Sequence, residues 1–232
     1  MAYSSFGSGT GRTTPAVLNL IIINTLVFVA QIVFGGLSGE SRVMDLFALH
    51  HIRSDEFRPH QLITHMFMHG SVLHLLFNMF ALWMFGSIVE KVWGAKRFLV
   101  FYFICGLGAA IVQLLSYTYT YRGIDGSALS FDNMLQYQTI LRYNATVGAS
   151  GAIMGVVAGF GCLFPNTQMF IFPIPMPVKA KFAVIGFILI DVFSGIANTP
   201  GDNVAHFAHV GGAVTGFIIV QVWNRKKRST FY

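Results

Sequence analysis

Six long apolar runs constrain this chain more than any other feature. They cover about residues 15 to 37, 70 to 90, 97 to 118, 147 to 164, 179 to 198 and 204 to 223. At 1.5 Å per residue the first of them can cross about 30 Å of hydrocarbon, and it lacks a clean small-residue cleavage site, so it reads as a retained span rather than a signal peptide. Only 10% of the residues are charged and 54% are apolar, against roughly a quarter charged in soluble domains. Backbone groups in lipid must bond within their own segment, so the runs are helices. The expected fold is all-α, a polytopic six-helix membrane bundle. The division is a cytoplasmic segment at 1–14, a six-span domain at 15–224 and a basic tail at 225–232.

A net charge of +6 suits nucleic acid or membrane topology. The basic residues sit in clusters between apolar runs, which is the topological pattern, and nucleic-acid binding is excluded. Ten Lys and Arg residues (Arg12, Lys91, Lys96, Arg97, Lys179, Lys181, Arg225, Lys226, Lys227 and Arg228) fall on the side of the termini, and five (Arg42, Arg53, Arg58, Arg122 and Arg142) on the other. The termini are therefore expected in the cytoplasm. Cys105 and Cys162 lie inside apolar runs, as inert buried thiols do.

The connections differ in character. The first external loop, about 38 to 69, mixes charges with Leu46, Phe47, Leu49, Phe57, Phe67 and Met68 and suits the membrane interface, partly helical. The second, about 119 to 146, can carry a short amphipathic helix from Phe131 to Arg142. Four of seven prolines fall in Pro165 to Pro177, which predicts a stiff linker without helix.

Polar residues converge at one depth. All eight histidines lie on the outer side or in the outer half of a span, and runs two, four and six enter from that side. Ser150, His209, His74 and Asn78 therefore sit within about 5 to 12 Å of the outer surface. Polar groups there are costly unless they face one another or water. His74 and Asn78, four apart, share a helix face. Ser150 heads the small-residue ridge Gly151, Gly155, Gly159, and His209 is followed by Gly212 and Gly216; this spacing serves plain packing, and it also lets two backbones approach closely. The chemistry that fits is acyl transfer. Serine is a weak nucleophile without an adjacent base, for which His209 is deep enough and His206 is the shallower competitor. His74, Asn78 and the Ser150 N–H can supply donors to an oxyanion. No carboxylate is evidently placed to orient His209, so a Ser-His dyad is expected.

His74-Leu-Leu-Phe-Asn78, Gly148-Ala-Ser150-Gly and Ala205-His206-Phe-Ala-His209-Val-Gly-Gly-Ala-Val-Thr-Gly216 together resemble the rhomboid family of intramembrane serine proteases, in its basic six-span bacterial form. The likeness covers nearly the whole chain. It implies Ser150 as nucleophile, His209 as general base, and His74 with Asn78 in the oxyanion hole, with no cofactor and no metal. It implies single-span membrane proteins as substrates, cleaved near the outer end of their helices, and a bilayer location, a bacterial inner membrane. It also implies a first loop lying in the membrane and a fifth span that moves aside for substrate. Two departures stand out. His60-Gln61 occupies the place where many members have Trp-Arg, and Met154 stands where many have an aromatic residue on the catalytic imidazole; a thioether can fill that space.

Three polar features have other readings. His65 and His69 are four apart, a metal-ligand spacing, but no Glu adjoins the first and interfacial hydrogen bonding is the simpler expectation. Asp191 is an intramembrane acid expected to pair with Ser194 or nearby backbone rather than to take part in catalysis. Asn144-Ala145-Thr146 matches a glycosylation sequon but abuts the serine-bearing helix. The alternatives to a protease are a silent homologue that binds transmembrane helices and a histidine-lined metal or proton transporter.

Overall fold

The computed structural model describes residues 14–35, 41–122, 131–171, 175–197, 202 and 204–228. Most of the expected segment 1–14, and the end of the basic tail, lie outside the described residues.

Helix α1, Pro15–Val33, opens on a proline, whose missing N–H and fixed φ suit the first helical position. The next two N–H groups, of Ala16 and Val17, donate to the Glu90 carboxylate at 3.0 and 2.8 Å, which satisfies orphan donors and places an anion at the positive helix end. Its buried stripe is Ala16, Val17, Leu20, Asn24, Phe28 and Gln31. Leu18, Ile22, Leu26 and Val29 face outward, as they do on a helix set in lipid rather than water.

The first loop folds into two short helices, α2 (Arg42–Phe47) and α3 (Gln61–Thr64), followed by a 3₁₀ turn over His65–Phe67. Helix α4 (Val72–Ala81) continues through a π-helical turn at Leu82–Gly86 into α5 (Ser87–Trp93). Helix α6 runs over Ala95–Thr120 and α7, in the loop between α6 and the serine-bearing helix, over Phe131–Tyr143. Composition points to helix in both loops, as found. Then come α8 (Ser150–Leu163), a two-residue antiparallel ribbon of β1 (Gln168–Met169) and β2 (Val178–Lys179), α9 (Ala180–Ala197) and α10 (His206–Arg228). No helix forms between Pro165 and Pro177 among the described residues, as expected, and the ribbon is a pairing that composition did not indicate. Thr167 O also accepts the first N–H of α9, from Ala180, at 2.8 Å, so the prolines flank a small pairing that starts a helix.

Among the described residues five helices are long and apolar enough to cross a membrane: α1, the continuous α4 to α5, α6, α9 and α10. The remaining run, the fourth, forms α8, which has only 14 residues, ten of them buried. It is enclosed by α6 and α10. An added Cβ on Gly155 would meet Cys105 Cβ at 2.5 Å and Gly212 O at 2.9 Å, and one on Gly216 would meet Gly155 O at 2.5 Å. Only hydrogen fits at these places, so the small-residue ridge sets the separation of α8 from α10. Phe98, Phe101, Tyr102, Cys105 and Val156 fill the centre.

Candidate active site

The N-terminus of α8 carries Ser150, preceded by Gly148 at φ +123°, a conformation that glycine adopts without steric cost. Glycine is required there for a second reason: a Cβ would lie 2.8 Å from the His74 ring. The Gly148 N–H donates to His65 O at 2.9 Å, which fastens the serine loop to the 3₁₀ turn of the first loop.

Across the α8/α10 contact, His209 Nε2 lies 2.8 Å from Ser150 Oγ. On the other side of the ring, Nδ1 lies 3.0 Å from Asp191 Oδ1. The expectation that no carboxylate accompanies His209 is therefore corrected: α9 carries one to it, 18 residues away in sequence. Asp191 does not pair with Ser194. Its Oδ1 also meets His206 Nδ1 at 2.7 Å, and His206 Nε2 meets Asp202 Oδ2 at 2.9 Å. His206 is thus not a competing base; both its nitrogens face carboxylates, and its bond holds the exposed Asp202 carboxyl below its usual range. Asp191, His206 and His209 bring ligand atoms within 4.8 Å of one another, which would admit a small cation, but the distances from Asp191 to the two imidazoles are those of hydrogen bonds.

His74 and Asn78 come from the adjoining helix α4. His74 lies against Gly148, and Gly70 N–H donates to its Nδ1 at 3.4 Å. Asn78 is buried, and its Nδ2 has no hydrogen-bond partner among the described residues. A buried amide donor left unpaired is rare and costly, and it needs a functional or structural reason. The first N–H groups of α8 have no intrahelical partner, and no side chain caps that helix. Met154 is partly buried against the core.

The first loop is organised by a residue that the sequence left in doubt. Gln61 is fully buried; its Nε2 donates to Asp45 O and Glu56 O, both at 2.8 Å, and its Oε1 accepts from His50 N at 3.3 Å and Arg58 N at 3.2 Å. All four bonding positions of the amide are used. His60 Nε2 meets Leu46 O at 2.7 Å. Between the loops, Arg142 Nε donates to Asp45 Oδ1 at 2.8 Å while its Nη2 takes Oδ2, a forked pair, and Leu49 bridges Thr146 through two backbone bonds of 2.9 Å. His65 and His69 serve this framework. His65 Nδ1 meets Gln61 O at 2.8 Å, and the backbone of His69 exchanges bonds with the Gln31 amide at 2.9 and 3.1 Å. Burial pushes both imidazoles down to about 4. Gln31 and Gln113, whose Oε1 accepts Ala208 N–H at 3.1 Å in the first turn of α10, escaped the sequence reading; polar residues within apolar runs were the available signal.

The rhomboid domain model matches residues 56–226. The rhomboid protease AarA of Providencia stuartii is 31% identical over 213 residues, 87% of this chain and 70% of the relative. The rhomboid protease GluP of Bacillus subtilis is 28% identical over 178 residues, 74% of this chain but 27% of its own length, and RHOMBOID-like protein 4 of Arabidopsis thaliana is 30% identical over 159 residues, 68% of this chain and 32% of its own length. A polytopic helical membrane protein with a serine and a histidine meeting at one end of its bundle thus belongs to the rhomboid family, whose relatives named here include proteases.

Proposed function

We propose that the chain is an intramembrane serine endopeptidase that cuts substrate transmembrane helices near their outer ends. The observation that carries this reading is the 2.8 Å contact between Ser150 Oγ and His209 Nε2, made between two helices across a glycine-lined contact. Ser150 Oγ forms a bond to the scissile carbonyl carbon as its proton passes to His209 Nε2. The negative charge on the former carbonyl oxygen is met by the Ser150 N–H, His74 and the free amide of Asn78. His209 then returns the proton to the leaving nitrogen as the C–N bond breaks, leaving an ester on Ser150. Water, deprotonated by the same imidazole, hydrolyses that ester and frees Ser150.

The length of α8 supports a site below the membrane surface. Its 14 residues rise about 21 Å, roughly 9 Å short of a 30 Å hydrocarbon layer. With its far end at the inner interface, Ser150 lies submerged below the outer surface. The distribution of Lys and Arg supports cytoplasmic termini and, in a bacterium, an inner-membrane location. Single-span membrane proteins with an easily unwound segment are the proposed substrates, since hydrolysis needs an extended backbone.

The test is covalent labelling by a fluorophosphonate together with cleavage of a transmembrane substrate by the purified chain in detergent, both with and without a chelator. Wild-type labels and cleaves, Ser150→Ala does neither, and chelator changes nothing. An unlabelled wild-type that still binds transmembrane helices identifies a silent homologue. Activity lost to chelator and restored by zinc identifies a metal protein.

A further inference from the structure

Asp191 is the intramembrane acid that the proposed hydrolysis leaves without a task, and its surroundings give it one. Imidazole has two ring nitrogens, and only the tautomer protonated on Nδ1 leaves Nε2 free to take a proton from Ser150. A carboxylate only accepts hydrogen bonds. With Asp191 Oδ1 3.0 Å from Nδ1 and Ser150 Oγ 2.8 Å from Nε2, the hydrogen on Nδ1 has an acceptor and Nε2 faces the hydroxyl. The opposite tautomer would set a bare Nδ1 lone pair against a carboxylate and offer Ser150 a donor in place of a base. The two side chains are 12% and 16% exposed, so little solvent competes for Nδ1.

Asp191 is itself held in place. Its Oδ1 also accepts from His206 Nδ1, at 2.7 Å, and His206 is anchored from outside by Asp202 at 2.9 Å. A histidine between two carboxylates can donate to both only when both ring nitrogens carry hydrogen, so His206 fixes Asp191 in place beside His209. The buried residues of α9 are Ala180, Ala183, Val184 and Asp191. Three sit at its inner end, so Asp191 alone is buried in its outer half, and the contact that orients the base also ties that half of α9 to α10.

We propose that Asp191 is a positioning residue of the catalytic serine-histidine pair, fixing the tautomer and orientation of His209 through Nδ1. This rests on the serine hydrolase reading above. The titratable groups facing His209 are Asp191 from α9, His206 from α10 and His74 from α4, with Asp202 one step further out behind His206.

The experiment compares wild-type, Asp191→Asn and Asp191→Glu in full-length protein, with kcat and KM taken on one transmembrane substrate across pH. Asp191→Asn is expected to lower kcat by about 10² to 10⁴ with KM within about threefold, the range of an imidazole deprived of its orienting carboxylate. Asp191→Glu regains part of kcat. Wild-type kcat in Asp191→Asn overturns the proposal. A second measurement needs no substitution at Asp191: NMR of isotope-labelled histidine in the wild-type, with the His209 signal assigned by its loss in His209→Gln. Protonation on Nδ1 at neutral pH is expected, and protonation on Nε2 overturns the proposal even if Asp191→Asn fails to fold. Should wild-type neither label nor cleave, the hydrolase reading fails first, which is a separate result.

Discussion

Gly216→Ala tests whether helix packing brings His209, the proposed base, to Ser150, the proposed nucleophile. The new Cβ would lie 2.5 Å from Gly155 O and 2.8 Å from Gly155 Cα, where ordinary contact begins near 3.4 Å. Both opposing atoms are backbone in the middle of a buried helix, so no side chain can rotate away, and α10 must move from α8 by about 0.9 Å. Carried to the neighbouring turns, that shift stretches the Ser150 to His209 contact from 2.8 Å to as much as about 3.7 Å, beyond a hydrogen bond. Overpacking of this kind costs about 1 to 3 kcal/mol of stability, and a 1 Å misplacement of a reacting pair can cost about 10²-fold in rate. The assay is cleavage of a transmembrane substrate, normalised to the folded fraction from thermal unfolding in the same detergent. Gly186→Ala is the control: it also lies within a helix, but a Cβ there meets nothing within 4 Å, so activity is kept and stability is unchanged or slightly raised. Gly216→Ala at full activity while folded would refute the argument that close approach of α8 and α10 brings His209 to Ser150.

Further outcomes follow from single side chains. Asn78→Ala is expected to lower kcat by about 10² to 10³ without lowering the unfolding temperature, because it removes a buried donor that has no partner; a loss of stability with no loss of kcat would make Asn78 structural. Gln61→Leu strands the carbonyls of Asp45 and Glu56 and the N–H groups of His50 and Arg58. It should destabilise the protein by at least about 2 kcal/mol, read by thermal unfolding, with faster proteolysis in residues 42–69. Acidification acts on the same loop: His65 is held down to about 4 by burial, whereas the unfolded side chain titrates near 6.5, so between those values the unfolded state binds the extra proton. Stability is therefore full above about pH 6.5 and falls as pH drops, by about 2 kcal/mol at pH 5 from this group alone. His50 and His51, also lowered by burial, add in the same direction. An unfolding temperature that stays flat from pH 7 to pH 5 would contradict this.

The apolar runs at 15 to 37, 97 to 118 and 179 to 198 became α1, α6 and α9 with ends shifted by a few residues, because lipid leaves a long apolar segment no alternative to helix. The run at 147 to 164 gave a different result. Its N-terminal residues were counted as span, yet Gly148 takes a positive φ and the helix begins only at Ser150. Hydropathy registers how apolar a residue is, and Val147, Gly148 and Ala149 are as compatible with a buried loop as with a helix. The π turn at 82–86 had no sequence marker either. It lies against Val17 and Phe98 at Gly86, a tertiary cause that periodicity does not encode.

In the site, the same contrast separates Ser150 and His209 from Asp191. The first pair were legible because each begins a ridge of small residues, so depth, face and close approach could be read from spacing within one helix. Within its own helix Asp191 has Ser194 as its near neighbour, and spacing confined to α9 offers no other side-chain partner. What decides its role is the crossing of α9 over the first turn of α10, where Gly195 packs against His206 and Phe207 and the carboxylate reaches two imidazoles at once. One signal was present: an acid in the outer half of a span is expensive in lipid, and this outer half already contained two histidines one turn apart on the next helix. Depth matching, which brought His74 and Ser150 together, applies equally to Asp191 and His209, and it selects the same partner that the geometry does.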